Sequence, residues 1–215
     1  MRFLQATRKR RMPRWIVLAI VAAVLMGCSR VSTNPSSDGG LGTTEAGPVK
    51  DYGSAPDFSL PNVTGGTFRL AAQRRVVVLT FVTADCTEDC PKVEAVLRSV
   101  AQRLGERGEL GSDVEIASVE IDPSFNSIGA VKELRRRLWP ARGWAFLRGA
   151  APATRQVLRA YDVHVLPRRT GKDLEHESLV YVISPALRKT DLLEPRVNLT
   201  PGDVLKAIET ARASS

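Results

Sequence analysis

Cysteine and histidine are scarce in this chain: 215 residues contain three cysteines and two histidines. Three cysteines are too few for the disulfide framework of a small secreted domain, so the fold must rest on a hydrophobic core. Long apolar runs are also missing. The longest, Trp15 to Met26, falls short of the roughly 20 residues a membrane-spanning helix needs. Aromatic residues are modest at 6%, yet a hydrophobic content of 43% is ample for one core. No internal repeat and no second domain can be read in the chain.

The charge balance excludes a further class. A formal net charge of +8 points to nucleic acid or a membrane surface until it is divided along the chain. Residues 1–28 hold Arg2, Arg8, Lys9, Arg10, Arg11 and Arg14 and no acid; taking these six from the 31 basic residues leaves 25 against 23 acidic ones, or +2. The basicity belongs mostly to the leader, so a nucleic-acid role loses its main support.

What is present begins with that leader. A basic region ending at Arg14, the apolar run and Gly27-Cys28 form the pattern of a secretory signal. Leu25-Met26-Gly27-Cys28 resembles the lipobox of bacterial lipoproteins, although Met26 departs from the usual small or β-branched residue. The resemblance makes Cys28 the lipidated new N-terminus; a plain secretory signal with Cys28 unmodified is the alternative. Residues 29–50 are rich in Ser, Gly, Thr and Pro and read as a flexible tether, with a reach of about 25 Å. The expected organisation is therefore a signal peptide over 1–28, a tether over 29–50 and a domain over 51–215. Such a protein is extracytoplasmic and anchored to the bacterial cell membrane by its lipid, where disulfides persist.

Within the domain, Phe58-Ser-Leu60 and Thr67-Phe-Arg-Leu70 alternate about Gly65-Gly66, a hairpin signal. The β-branched run 76–83 predicts a buried strand, and Val93, Val96, Leu97, Val100 and Leu104 predict a helix over 91–106. Val114 to Ile121 reads as a strand, Ser127 to Leu138 as a helix, 144–147 as a strand and 152–161 as a short helix. Arg135, Arg136 and Arg137 fit a solvated helix face. A strand at 179–183 enters a turn at Pro185, and residues 164–178 read as a loop. Thr200, Pro201 and Asp203 open the last helix with a capping box. Alternating helices and strands predict an α/β domain with a central sheet.

Cys86 and Cys90, the two cysteines outside the leader, sit where the strand 76–83 gives way to a helix with Pro91 in its first turn. A helix N-terminus favours thiolate, whereas Asp85, Glu88 and Asp89 disfavour another anion. A soft copper ion resolves that conflict, because thiolates prefer soft metals and the cation cancels the charge. Two thiolates rarely complete such a site. The third ligand must come from elsewhere, and His164 and His176 are both open to the role.

The chain resembles the Sco/SenC family over roughly residues 52–190. The residues that carry the likeness are Ala55-Pro56-Asp57-Phe58, the apolar strand into Cys86-x-x-x-Cys90-Pro91, Ile121-Asp122-Pro123 and Trp144-x-Phe146-Leu147-x-Gly149. Tyr161-x-Val163 and His176, five residues before Tyr181 in Tyr-Val-Ile-Ser-Pro185, complete it. The resemblance implies a thioredoxin-like fold, its sheet flanked by helices with an N-terminal hairpin. It also implies a membrane-anchored copper chaperone that holds Cu(I) or Cu(II) through Cys86, Cys90 and His176. Its acceptor would be the copper-binding subunit of cytochrome c oxidase or another copper acceptor, and a thiol reductant would keep the cysteines reduced. Thr87 stands where the family usually has Pro, and Glu177 intervenes before Ser178.

Three rivals use the same cysteines. A thiol–disulfide oxidoreductase would employ Cys86 and Cys90 as its redox pair, but such enzymes usually place two residues between the cysteines and a proline near the later strand. Here three residues intervene and no proline directly precedes Leu179. A peroxidase reading of Thr83-x-x-Cys86 fails on Leu79, where the motif requires proline. A purely structural disulfide across so short a loop gains little chain entropy.

Overall fold

The computed structural model describes residues 51–86, 90–139, 142–167, 174–194 and 198–214. The leader with Cys28, the tether, and Thr87, Glu88 and Asp89 lie outside the described residues. No helix among the described residues is long and apolar enough to cross a membrane.

The centre of the fold is β3, Val76–Val82, in which every residue is buried. An alternating strand buries one face; this near-continuous apolar run buries two. Val76, Val78 and Val82 join one core cluster and Val77, Leu79 and Phe81 the other. Burying each such side chain stabilises the fold by about 1.5–3 kcal/mol. The sheet has the order β5-β4-β3-β6-β7. β4 (Val114–Glu120) and β5 (Trp144–Leu147) continue it in parallel, while β6 (Val180–Ile183) and β7 (Lys189–Leu193) run antiparallel to their neighbours.

One face is covered by α1 (Cys90–Glu106), α2 (Ile128–Leu138) and α4 (Pro201–Ala213). The expected stripe appears on α1, where Val93, Leu97, Val100 and Leu104 are buried. Ser127 caps α2 by accepting from the Ala130 N–H at 3.2 Å. Both halves of the Thr200–Asp203 capping box form on α4. The other face carries α3 (Ala151–Ala160) and the hairpin of β1 (Ser59–Pro61) and β2 (Thr67–Arg69). That hairpin turns as expected through Gly65 and Gly66, both at positive φ.

Two features depart from the sequence reading. β7 was not expected; it follows β6 through a turn in which Leu187 takes a φ of 58°. Residues 164–166 and 175–177, read as parts of one loop, pair with each other instead. Val165 bridges antiparallel to His176, the Leu166 N–H donates to the Glu175 carbonyl at 2.9 Å, and the Glu177 N–H to that of His164 at 3.3 Å.

Candidate metal centre

β3 ends inside the core, and the chain then turns sharply: the Cys86 N–H donates to the Thr83 carbonyl at 3.2 Å. Cys90 opens α1 and is only 2% exposed, while Cys86 is half-buried. The two are joined as a disulfide with Cα atoms 5.9 Å apart.

The imidazole of His176 arrives from the two-stranded arm just before β6. That arm is fastened to the sheet by the Thr80 hydroxyl, which donates to the Leu179 carbonyl at 3.3 Å. Nε2 of His176 lies 3.3 Å from Cys90 Sγ, and Nδ1 lies 3.1 Å from the Glu177 carbonyl oxygen. A carbonyl can only accept, so Nδ1 carries a proton; in the neutral imidazole the lone pair is then on Nε2, the nitrogen that faces Cys90 Sγ. Together Cys86, Cys90 and His176 place one donor atom each within 4.8 Å of one another. Among the described residues no other group of His, Cys, Asp and Glu meets that criterion.

His164 takes no part in this cluster. Its side chain is 70% exposed and its Nδ1 lies 3.0 Å from a Glu177 carboxylate oxygen. That hydrogen bond, the Glu177 charge and then Asp162 raise its pKa above the ordinary histidine value. Both histidines line a cleft of about 670 Å³ with Lys92, Asp162, Glu177 and Ser178, so the site opens to solvent on the arm's side.

On the Cys86 side lies a polar group that the sequence reading did not foresee. Glu120 at the end of β4 is fully buried, Thr83 is 1% exposed and Asn126 5%. The Glu120 carboxylate accepts from the Ala84 N–H at 3.0 Å, the Asp122 N–H at 2.9 Å and Asn126 Nδ2 at 3.1 Å. Burial is the largest influence on Glu120 and raises its pKa; the hydrogen bonds from Asn126, Asp122 and Ala84 oppose it, and the nearby Asp85 charge adds to it. A single acid ending an apolar strand gives no sign in the sequence that it is buried.

The SCO1/SenC family model matches residues 48–212, and the chain belongs to that family. No curated protein matches it in sequence. Solved structures share the fold. Arabidopsis thaliana ScoI with copper bound is 21% identical, with a TM-score of 0.61 over 72% of this chain and 98% of that one. A SCO1/SenC family lipoprotein from Bacillus anthracis is 18% identical, with a TM-score of 0.63 over 73% and 94%. BsSco, in which a disulfide switch was identified, is a member of the Sco family of cytochrome c oxidase assembly proteins. It is 18% identical, with a TM-score of 0.63 over 75% and 95%. The thioredoxin-like arrangement expected from the sequence is thus the fold of this chain.

Proposed function

We propose that the chain is a membrane-tethered, extracytoplasmic copper chaperone that takes copper as cargo through Cys86, Cys90 and His176. The observation that carries this is the convergence of two sulfurs and an imidazole lone pair within 4.8 Å. That donor set suits a soft ion; oxygen-seeking cations would want carboxylates and carbonyls instead. The copper in the Arabidopsis thaliana structure supports the same reading.

The cycle starts from the disulfide. A dithiol reductant breaks the S–S bond, delivers two electrons and two protons to Cys86 and Cys90, and leaves as its own disulfide. The freed thiols lose protons as they take copper, so loading weakens as pH falls. Release is by ligand exchange with the cysteines of an acceptor. We assign that role to the copper-binding subunit of cytochrome c oxidase, a reading supported by the assembly role of the family to which BsSco belongs. In this proposal Cys28 carries the lipid, residues 29–50 supply reach above the membrane, and 51–215 form the working domain; the lipoprotein from Bacillus anthracis supports the anchor.

A second reading is supported by the Cys86–Cys90 disulfide and by the switch described for BsSco: a thiol–disulfide oxidoreductase that reduces cysteines of its partner. Anaerobic copper titration of the reduced chain separates the two. It runs beside Cys86→Ser, Cys90→Ser and His176→Ala, reading stoichiometry and thiolate-to-Cu(II) absorption. One tightly held copper, lost in either cysteine variant and altered in the histidine variant, is the expected result. No tight copper, with a pair that exchanges readily with thiols, moves the assignment to the oxidoreductase.

A further inference from the structure

Burying a carboxylate is costly unless its oxygens are satisfied, and among the described residues no cation pairs with Glu120. The three N–H groups that satisfy it come from both sides of a junction. Ala84 belongs to the segment leading into Cys86, and Asp122 and Asn126 to the segment between β4 and α2. Asn126 reaches further. Its Nδ2 shares two hydrogens among three acceptors, Glu120, Thr83 Oγ1 at 2.7 Å and Asp85 Oδ1 at 3.0 Å, and the Thr83 hydroxyl donates onward to Asp85 at 2.5 Å. Arg148 braces Asn126 from behind, donating to its carbonyl at 3.0 Å and to that of Pro123 at 2.7 Å.

These contacts hold Thr83, Ala84 and Asp85, the three residues before Cys86, to the end of β4. Cys90 is held separately, through the packing of α1 on the sheet. Once the disulfide is reduced, the separation of the two sulfurs therefore depends on this junction, and so does the direction of the Asp85 carboxylate, which accepts from Asn126 and Thr83. We infer that Asn126 is a positioning residue for Cys86, fixing one side of the site through Thr83, Asp85 and Glu120. The inference rests on the copper-carrier reading, in which outer contacts that orient a metal ligand affect affinity by about 10–100-fold.

The test uses the full chain purified in detergent, with Asn126→Ala, Asn126→Asp and Val114→Ala. Asn126→Asp keeps the shape but replaces the donor by a further carboxylate. Val114 is buried at the opposite end of β4, so its truncation destabilises the core without touching the junction. With all chains shown folded by circular dichroism, both Asn126 variants should bind copper at least about tenfold more weakly. Their thiolate-to-Cu(II) band should shift, while Val114→Ala stays within about twofold of wild type. Wild-type affinity in the Asn126 variants, or equal weakening in Val114→Ala, overturns the inference. A second readout needs no metal: the Cys86–Cys90 disulfide equilibrated against glutathione. Freeing Cys86 lowers the effective concentration of one thiol near the other, so both Asn126 variants should shift toward the dithiol. If wild type binds no copper, the proposed function falls and this equilibrium alone judges Asn126; an unchanged constant refutes its role.

Discussion

Glu94 lies on α1, four residues after Cys90, half-buried and within the field of Arg137. Burial raises its pKa from 4.5 to about 6, with the Arg137 charge opposing. A carboxyl whose pKa is higher in the folded chain than in the unfolded one keeps its proton longer when folded. Stability from this group is therefore greatest below pH 4.5 and declines as pH rises through about 6. The full shift corresponds to about 2 kcal/mol, at about 1.4 kcal/mol per tenfold change in acidity. Because the side chain keeps some contact with water, about 1 kcal/mol is the expected net penalty. Glu94→Gln removes the charge while keeping the shape. It should be more stable than wild type by about 1 kcal/mol at pH 8 and equal to it at pH 4. Urea unfolding of both chains at pH 4, 5, 6, 7 and 8, with the disulfide intact throughout, gives the two stability curves. Parallel curves, or a Glu94→Gln variant weaker at pH 8, would refute the assigned burial cost.

His176→Ala should weaken Cu(II) more than Cu(I), by a factor of at least about ten in competition titrations, because two thiolates alone can hold Cu(I) linearly; equal losses count against His176 as ligand. Gly143→Ala should cost about 2–3 kcal/mol in urea unfolding: its φ is 87°, and an added Cβ would sit 2.6 Å from the Gly111 nitrogen and from Leu110 Cγ. Ser118→Ala should cost about 1–3 kcal/mol, since it leaves the buried Trp144 Nε1–H without the hydroxyl it meets at 2.9 Å. A loss below about 0.5 kcal/mol would show that water replaces that hydroxyl.

The parts of the fold that follow from local pattern were legible. The two-sided burial of β3 shows in its near-continuous apolar run, and the start of the last helix shows in Thr200 with Asp203. The Gly65-Gly66 turn is equally plain. β7 escaped because Thr190 is its only fully buried residue. Leu187 also occupies a left-handed turn position that glycine or asparagine would have advertised. The arm carrying His176 escaped for another reason: its pairing spans the charged stretch after Pro167, and a single bridge leaves no periodicity. Cys86 and Cys90 stood out by scarcity and by their place before a helix. Between two histidines the residues alone gave no preference; the family resemblance singled out His176, and the folded arm brings it to Cys90 while leaving His164 outside. Glu120 and Asn126 were invisible, because a buried polar set depends on tertiary contacts between segments with no local signature.

The two halves of the candidate centre differ in how they depend on folding. Cys86 and Cys90 are four positions apart in the chain, so their disulfide can form in the folded and unfolded states alike and constrains neither strongly. His176 is 86 residues from Cys90 and reaches it only through β6 and the arm. Cargo that uses the imidazole is consequently bound by the folded chain alone and must stabilise it, by about 2.7 kcal/mol when free ligand stands at 100 times Kd. Cargo held by the two sulfurs alone is bound by the unfolded chain too and stabilises much less. Copper carriage through all three donors thus predicts a rise in unfolding midpoint that is larger for Cu(II) than for Cu(I) and falls sharply in His176→Ala. Thiol exchange through the pair predicts no such linkage. Thermal unfolding of the reduced chain with each copper state therefore reports on the imidazole directly, independent of any acceptor protein.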